Sequence, residues 1–270
     1  MVVAFGAPAL LLESLQPLAG LDVVVVDNSS REDVRRVCTA TGAQYLDPGR
    51  NLGFAAGVNL GVKALGDDRD VLVLNPDAVL DLEGIDRLLA VMQSGPRTAA
   101  VAPRLAGPDG EQRPGWPWPS PGRMWHEAIG LARDADRHDF LVGAALLLHG
   151  DALREVGPFD ERYFLYAEET DWQRRAVDLG WQIRLVPDVV AQHLGAGTSV
   201  DPARREALFH AGTETYVRKW FGRRGWASYR AASLVGATAR SLLPGPRGSA
   251  ARRRAVIYAR GPRRVAGLDA

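Results

Sequence analysis

The amino-acid sequence predicts an α/β fold, with a mostly parallel central sheet flanked by helices and a helical appendage at the C-terminal end. Over the first half of the chain, short apolar runs rich in Val alternate with stretches of helical length and periodicity. This alternation is typical of parallel strands joined by crossover helices. Hydrophobic residues make up 46% of the 270 positions, so the chain has enough apolar surface to bury the core of such a fold.

The first half divides into alternating predicted strands and helices. Asp22–Val26 and Asp70–Leu74 contain continuous apolar runs, which is the pattern of strands buried on both faces. Between such runs, apolar residues recur at helical spacing. The predicted strands are Val2–Phe5, Asp22–Val26, Gln44–Leu46, Asp70–Leu74 and Ala99–Ala102, and the predicted helices are Ala9–Leu18, Arg31–Thr41, Ala55–Leu65 and Leu82–Met92.

The second half begins with a Pro- and Gly-rich stretch, Gly107–Gly122, which predicts a loop. Its tryptophans, Trp116 and Trp118, either anchor this loop to the core or form a stacking face for a sugar ring. We expect a domain over residues 1–220, followed by a helical segment and basic tail over residues 221–270. The remaining predicted elements are strands at Phe140–Leu148, Ile183–Val186 and Val189–His193, and helices at Asp151–Val156, Thr170–Leu179, Pro202–Arg218 and Trp226–Leu243.

Charge is distributed unevenly along the chain. The net charge is only +1, yet Arg240–Ala270 contains eight Arg and one acidic residue, a net charge of +7, which leaves −6 on residues 1–239. Such a tail suits an anionic surface, either phospholipid headgroups or nucleic acid, although a solvated and partly disordered tail explains it as well. Of the two surfaces we favour an anionic membrane, contacted peripherally, over nucleic acid.

Cysteine usage and the absence of targeting signals indicate the compartment. The N-terminal residues lack the positively charged leader of a signal peptide. The most apolar run, Phe140–Leu148, is far shorter than the ~20 residues that span a bilayer. The single Cys38 excludes a disulfide framework and a Cys-based zinc site. We therefore expect a cytoplasmic protein, with any membrane contact at the inner face of the plasma membrane.

Three carboxylates lie within four residues, directly after an aromatic run and at the start of a predicted helix: Glu168, Glu169 and Asp171. One explanation is capping, because unpaired N–H groups and the helix macrodipole favour acidic residues there. The other is catalysis, because like charges crowded against apolar surface raise a carboxylate pKa toward that of a useful base. This segment alone does not choose between the two.

Polar side chains also follow three predicted strands, at the carboxyl edge where the active sites of such sheets lie. A lone acid at that edge, such as Asp77, can hold a hard divalent cation between protein and phosphates. Glycines at 53, 57 and 61 do not match the Gly-x-Gly-x-x-Gly dinucleotide fingerprint, which argues against an oxidoreductase. The polar clusters are Asp27-Asn28, Arg50-Asn51 and Asn75-Pro76-Asp77.

Taken in order, these segments resemble the family 2 inverting glycosyltransferases with the GT-A fold, which has a Rossmann-like central sheet. The resemblance is to the bacterial rhamnosyltransferase-like and galactofuranosyltransferase-like branch, and it covers roughly residues 1–220. Each motif is weak alone, but their joint order and spacing are specific. The matching segments are Val26–Ser30, Asn51–Asn59, Leu74–Asp77, Phe140–Ala145, Gly157–Glu161, Phe164–Asp171, His193 and Tyr216–Lys219.

The resemblance implies a nucleotide site and a metal site. Asp27 would accept a hydrogen bond from the base of the donor nucleotide. The divalent metal, Mg²⁺ or Mn²⁺, would be held principally by Asp77, with His193 at a position where the family can place a metal-binding histidine. The nucleotide cleft would be lined by Asp27, Asn51, Gly53 and Asn75.

The resemblance also implies the catalytic groups. Glu169 corresponds to the family's catalytic base, and Glu168 and Asp171 on either side of it would orient acceptor hydroxyls or tune its pKa. Arg218 and Lys219 would neutralise the diphosphate, although a solvated helix face explains these two cations as well.

The implied activity is metal-dependent, inverting transfer of a sugar from a nucleoside diphosphate donor to a hydroxyl of a glycan or polyprenyl-linked glycan, in cell-envelope polysaccharide synthesis. The branch favours dTDP-rhamnose, with UDP-sugars second. The chain departs from the usual pattern of the family at two places. Its first strand ends in Ala4–Ala7 rather than Thr-Tyr-Asn, and the position of the catalytic base holds Glu169 rather than Asp. A non-catalytic binder of nucleotide sugars or glycans is the alternative.

Overall fold

The structure is a computed structural model that describes residues 1–66, 68–132, 137–195 and 201–269. The chain forms two compact units. The first contains Met1–Trp116, His138–Phe164 and Glu168–Val200, and the second contains Pro117–Arg137, Leu165–Ala167 and Asp201–Ala270. The expected division at residue 220 stays a prediction.

The first unit is built on a nine-stranded sheet with the order β3-β2-β1-β4-β10-β6-β11-β5, in which β7 also pairs with β6. A separate two-stranded ribbon joins β8 to β9. The strands are β1 (Val2–Ala4), β2 (Val24–Asp27), β3 (Gln44–Leu46), β4 (Val71–Leu74), β5 (Ala78–Val79), β6 (Thr98–Gly107), β7 (Gly110–Gln112), β8 (Gly115–Trp116), β9 (Phe140–Leu141), β10 (Ala145–Leu148) and β11 (Gln182–His193).

The sheet is mixed, whereas the sequence predicted one that is mostly parallel. The strands β3, β2, β1 and β4 are parallel to one another, as are β6 and β11. The antiparallel pairs involve β10, which lies between β4 and β6, and the short strands β5 and β7. The parallel part carries the predicted α/β character, and β10 is antiparallel to both of its neighbours, β4 and β6.

Apolar residues fill both faces of the sheet. Successive residues of β10 show this alternation, since Leu147 belongs to one core cluster and Leu146 and Leu148 belong to the other. The Val runs of β2 and β4 are likewise buried on both sides. The covering helices of this unit are α1 (Pro8–Leu15, continued by a 3₁₀ turn at Gln16–Leu18), α2 (Glu32–Thr41), α3 (Phe54–Leu65), α4 (Leu82–Ser94), α6 (Gly150–Val156) and α7 (Glu168–Asp178).

Three predicted elements differ in the structure. The stretch Gly107–Gly122, predicted as a loop, contains β7, β8 and the start of α5 (Pro121–Ala128). The predicted strand Phe140–Leu148 is interrupted by a turn and forms two strands in different sheets. The strands predicted at 183–186 and 189–193 form one strand, β11, whose pairing with β6 shifts between Val186 and Val190 around Pro187, because Pro has no N–H to donate.

The second unit is helical and consists of α5, α8 (Pro202–Ser241), α9 (Gly245–Arg260) and α10 (Pro262–Val265). The range α8 contains two helical segments separated at Gly222, whose φ of 66° and ψ of −170° are not helical, and this agrees with the two helices predicted at 202–218 and 226–243. The basic tail is α9 and α10. The alternative of a partly disordered tail is therefore wrong for residues 245–265.

An aromatic cluster attaches this basic tail to α8. Tyr258 of α9 is fully buried and contacts His210, Trp226 and Tyr229 of α8. Burial lowers the pKa of His210 to about 3, so this imidazole is neutral at physiological pH. Among the helices formed by described residues, none is long and apolar enough to cross a membrane.

Candidate active site

Asp27 ends β2 at the carboxyl edge of the sheet and is completely buried. Its carboxylate accepts hydrogen bonds from the Ser29 amide at 2.9 Å, the Arg31 amide at 2.8 Å and the Tyr45 hydroxyl at 3.0 Å. Burial, together with the hydrogen bond to Asp27, raises the pKa of Tyr45 to about 12. Asp27 therefore organises the turn after β2, and its predicted contact with a nucleotide base stays a prediction.

The loop before α3 is held by asparagines. The Asn28 amide donates to the Gly53 carbonyl at 2.9 Å, and the Asn51 side chain accepts from the Gly53 amide at 2.9 Å. Gly53 has a φ of 83°, and a Cβ there would overlap the Phe164 carbonyl oxygen. That oxygen accepts from the Phe54 amide at 2.7 Å. The predicted nucleotide loop thus lies against the chain segment that leads into the acidic cluster.

Asp77 and His193, the predicted metal ligands, lie together. Asp77 follows β4, and His193 ends β11 beside β5. Their Oδ1 and Nε2 atoms are 3.5 Å apart, and only 4% and 11% of the two side chains is exposed. The other ring nitrogen, Nδ1, is 2.9 Å from Oε1 of Gln112. A cavity of about 250 Å³ opens beside the pair, with Leu10, Glu13, Val79 and Pro108 among its walls.

This donor set fits a divalent metal. A carboxylate oxygen is a ligand of both Mg²⁺ and Mn²⁺. An imidazole nitrogen is a ligand of transition metals rather than of Mg²⁺, so the pair suits Mn²⁺ better. In the described part of the chain no third His, Cys, Asp or Glu completes a metal cluster with them. A cation here would therefore need further oxygen ligands, which diphosphate or water can supply.

The three acids of α7 differ in their burial and in the groups around them. Glu168 is buried, and its Oε2 has no hydrogen-bond partner among the described residues. Burial, followed by repulsion from Glu169, raises the pKa of Glu168 well above its ordinary value. A raised pKa is the effect expected of crowded acids, and here it is the pKa of Glu168 that is raised, next to the predicted base Glu169.

Asp171 lies within the protein core. It is completely buried, and its carboxylate accepts from the Tyr163 hydroxyl at 3.3 Å and from Nε of Arg175 at 3.1 Å. Arg175 also donates to the carbonyls of Val156 and Pro158 at 2.6 and 2.7 Å. These contacts give Asp171 a structural role, and its predicted role in orienting acceptor hydroxyls stays a prediction.

Glu169 lies over the turn between β9 and β10. Its Cβ and Cγ are 3.3 Å from the position that a Cβ on Gly143 would occupy. The next residue, Ala144, accepts a hydrogen bond through its carbonyl from the Asn75 amide at 2.8 Å. Asn75 begins the turn that carries Asp77, so this short segment links the predicted base to the predicted metal ligand.

Gln173 fixes α7 against this turn. Its amide accepts from the Leu141 amide at 2.9 Å and donates to the carbonyls of Leu141 and Glu169 at 2.7 and 3.1 Å. Sequence analysis missed Gln173, although its spacing of four residues from Glu169 placed it on the same helix face. It also missed Gln112, for which the sequence shows no signal, and the close approach at Gly143.

The remaining predicted contacts are distributed between the two units. In the first, Trp116 is 47% exposed, with the Arg113 guanidinium 4.1 Å from its ring centre, so burial does not anchor it. In the second, Trp118 is partly buried. Arg218 is bound to Glu214 at 2.7 Å, and Lys219 is 5.9 Å from the Trp220 ring. Their predicted roles toward a sugar or diphosphate stay predictions.

Comparison with solved structures agrees with the GT-A assignment. A mannosyltransferase from Pyrobaculum calidifontis, solved in complex with GDP-Man and Mn²⁺, superposes with a TM-score of 0.55 at 16% identity, over 99% of this chain and 82% of that one. This similarity shows the fold. The predicted fold class is confirmed, with its mixed sheet flanked by helices and its C-terminal helices.

Sequence comparison identifies the family. N-acetylglucosaminyl-diphospho-decaprenol L-rhamnosyltransferase of Mycobacterium tuberculosis is 29% identical over 228 residues, 73% of this chain and 74% of the relative. The low-salt glycan biosynthesis hexosyltransferase Agl10 of Haloferax volcanii is 31% identical over 165 residues, 57% of this chain and 53% of the relative. The family model of glycosyl transferase family 2 matches residues 1–157, more than half of the chain. The chain therefore belongs to glycosyl transferase family 2 and is a glycosyltransferase.

Proposed function

We propose that this glycosyltransferase is metal-dependent and inverting. It moves a sugar, with rhamnose favoured, from a nucleoside diphosphate donor to a hydroxyl of a glycan or lipid-linked glycan in cell-envelope polysaccharide synthesis. The observation that carries the proposal is the link from Glu169 through Gly143 and Ala144 to Asn75, which brings a carboxylate base toward the turn that bears Asp77.

In the proposed reaction, Glu169 removes the proton from an acceptor hydroxyl as that oxygen attacks the anomeric carbon from the face opposite the leaving group. Burial and repulsion from Glu169 raise the pKa of Glu168, which disfavours a second negative charge beside Glu169. Asp77 and His193 would hold Mg²⁺ or Mn²⁺. When bound, that cation supplies positive charge to the departing diphosphate. A single displacement of this kind inverts the anomeric configuration and needs no Ser or Cys nucleophile.

Donor and acceptor are proposed from the relatives and the predicted nucleotide loop. Asn51, Gly53 and Asn75 would line the nucleotide cleft, with Asp27 toward the base. The name of the mycobacterial relative specifies transfer of L-rhamnose to a decaprenyl diphosphate-linked sugar, which supports rhamnose and a lipid-linked acceptor here. We favour dTDP-rhamnose as the donor, with UDP-sugars second.

A lipid-linked acceptor requires approach to a membrane, and the second unit has a surface suited to it. Residues 242–247, which connect α8 to α9 and include the first three residues of α9, are all exposed, including Leu242 at 86% and Arg247. At the end of α5, Ile129 and Leu131 are each 60% exposed. The ends of α5 and α8 meet, because the Arg240 guanidinium donates to the Glu127 carbonyl. Apolar side chains beside Arg favour an anionic bilayer.

The nucleotide and metal assignments are tested by calorimetric titration of the wild type and Asp77→Asn with dTDP, UDP and GDP, with and without Mn²⁺. We expect one nucleotide to bind in a Mn²⁺-dependent manner, and Asp77→Asn to lose that dependence. Equal binding with and without Mn²⁺ would contradict metal dependence, and failure of all three nucleotides would contradict the donor class.

The catalytic base is tested with Glu169→Gln. We expect the single-turnover rate of sugar transfer to fall by at least about 10²–10⁴-fold, the usual contribution of general base catalysis, while nucleotide binding is unchanged. Glu83→Gln is the matched control, because Glu83 is also a glutamate in the first turn of a helix. Turnover close to wild type in Glu169→Gln would remove Glu169 from the mechanism.

The membrane surface is tested by flotation with vesicles of anionic or neutral phospholipid. The double variant Leu242→Ser/Leu243→Ser should lose flotation with anionic vesicles. Leu21→Ser, which changes an exposed leucine of the first unit, should float as the wild type does. Unchanged flotation of the double variant would show that this surface does not bind the bilayer.

A further inference from the structure

Gln112 makes two hydrogen bonds to His193. Its Nε2 donates to the His193 main-chain carbonyl at 2.7 Å, and its Oε1 lies 2.9 Å from Nδ1 of the same residue. The first contact determines how the amide is oriented, because a carbonyl oxygen accepts only from the NH₂ group. The amide oxygen of Gln112 must then face the imidazole.

This orientation determines the tautomer of His193. An amide oxygen only accepts, so Nδ1 carries the hydrogen and donates it. A neutral imidazole has one N–H group, and Nε2 therefore presents a lone pair. Nε2 lies 3.5 Å from the Asp77 Oδ1, so in the neutral Nδ1–H tautomer its lone pair faces a carboxylate oxygen in a largely buried place. A cation between them relieves their repulsion, and this tautomer is the one that can bind it.

The surrounding backbone allows this contact. Gln112 lies on β7, opposite Leu105 of β6, and β6 is also the neighbour of β11. A Cβ at Gly107 would overlap Nε2 of Gln112 and approach the His193 carbonyl oxygen to 3.0 Å. The absence of a side chain at Gly107 thus leaves space for the Gln112 amide to reach His193.

We propose that Gln112 is a positioning residue for the metal site, which holds His193 in the Nδ1–H tautomer and directs its Nε2 lone pair toward Asp77. This inference rests on the proposed metal dependence. Partners of this kind orient the metal ligand and increase its basicity, and their loss usually lowers metal affinity 10–100-fold. Gln112→Leu should show a loss of that size for Mn²⁺.

The test combines two measurements on the full chain. The tautomer of His193 is read in the metal-free protein from imidazole ¹⁵N chemical shifts, with His193→Gln used to assign the signal. Affinity for Mn²⁺ alone is measured by electron paramagnetic resonance. Gln112→Leu removes both hydrogen bonds, whereas Gln112→Glu keeps an acceptor for Nδ1–H. Glu111→Gln, on the adjacent residue of the same strand, is the control for changes in β7.

The Nδ1–H tautomer should be present in the wild type, Gln112→Glu and Glu111→Gln. Gln112→Leu should lose this tautomer, and its affinity for Mn²⁺ should be 10–100-fold lower than that of the wild type. Either a wild-type Nε2–H tautomer or an unchanged Mn²⁺ affinity in Gln112→Leu would overturn the inference. Absence of Mn²⁺ binding to the wild type would instead contradict the proposed metal dependence, and the chemical shifts distinguish these failures. If Gln112→Leu does not fold, loss of the tautomer in Gln112→Glu overturns the inference as well.

Discussion

Replacement of Asp171 with Asn should damage the fold more than the chemistry. The Asp171 carboxylate is completely buried between the Tyr163 hydroxyl and Nε of Arg175. Arg175 also holds the carbonyls of Val156 and Pro158, at the end of α6. Asn removes the negative charge and leaves the guanidinium with neutral acceptors only, namely the two main-chain carbonyls and the Asn side-chain oxygen.

The size of the effect follows from the burial of the two groups. Loss of one partner from a fully buried ion pair costs about 3–5 kcal/mol. Here Asp171 is fully buried, but 22% of the Arg175 side chain is exposed, and Arg175 keeps its two carbonyl contacts. Water therefore screens part of the unpaired charge, and we expect a cost of about 2–3 kcal/mol. At about 2–4 °C per kcal/mol, the corresponding fall in Tm is roughly 4–12 °C.

Calorimetric unfolding and single-turnover transfer, measured on the same samples, test this reasoning. The double variant Asp171→Asn/Arg175→Met removes the unpaired cation and should recover part of the lost stability, which gives the coupling energy of the pair. Asp171→Asn should transfer sugar within about tenfold of the wild-type rate below its Tm, since a structural residue acts only through positioning. A wild-type Tm combined with abolished transfer would refute the structural role.

Three further predictions follow from the same site. The pKa of Glu168 is raised above 4.5 in the fold, so the stability of the wild type falls as pH rises from 4.5 toward that raised pKa. Over this pH range Glu168→Gln should be more stable than the wild type by about 1.4 kcal/mol for each pH unit above 4.5, and it should be equally stable at pH 4. Urea unfolding between pH 4 and 8 tests this. Gly53→Ala places a Cβ against the Phe164 carbonyl at a left-handed φ, so it should lose about 1–3 kcal/mol in urea unfolding and bind nucleotide more weakly. Gly143→Ala crowds Glu169 at 3.3 Å and should lower the single-turnover rate about 10–100-fold with unchanged calorimetric nucleotide binding.

Most of the fold could be predicted because it depends on local pattern. Val-rich runs such as Val24–Asp27 and Val71–Leu74 form strands wherever both of their faces are covered. The direction of β10 could not be predicted, because an apolar run of this length suits either direction in a sheet. The two predicted helices within α8 are present, and Gly222 separates them because its φ and ψ are not helical.

The candidate site also has features that the sequence could predict and features that depend on how the elements pack. The resemblance to the family, carried by motifs in chain order, gave Asp27, Asp77, Glu169 and His193 as candidates, and Asp27 and Asp77 follow parallel strands at the edge where the active sites of such sheets lie. Residue pattern alone did not distinguish Glu168, Glu169 and Asp171, which are near neighbours in one helix, and the different roles predicted for them came from the resemblance to the family.

The tertiary structure gives these three acids different environments. Arg175 and Tyr163 enclose Asp171, burial raises the pKa of Glu168, and Glu169 lies against the Gly143 turn. The contact of Gln112 with His193 likewise joins residues 81 positions apart. Composition and periodicity report which faces are apolar, whereas side-chain direction and long-range contact depend on how the elements pack, and these determine the surroundings of each acid and of each imidazole nitrogen.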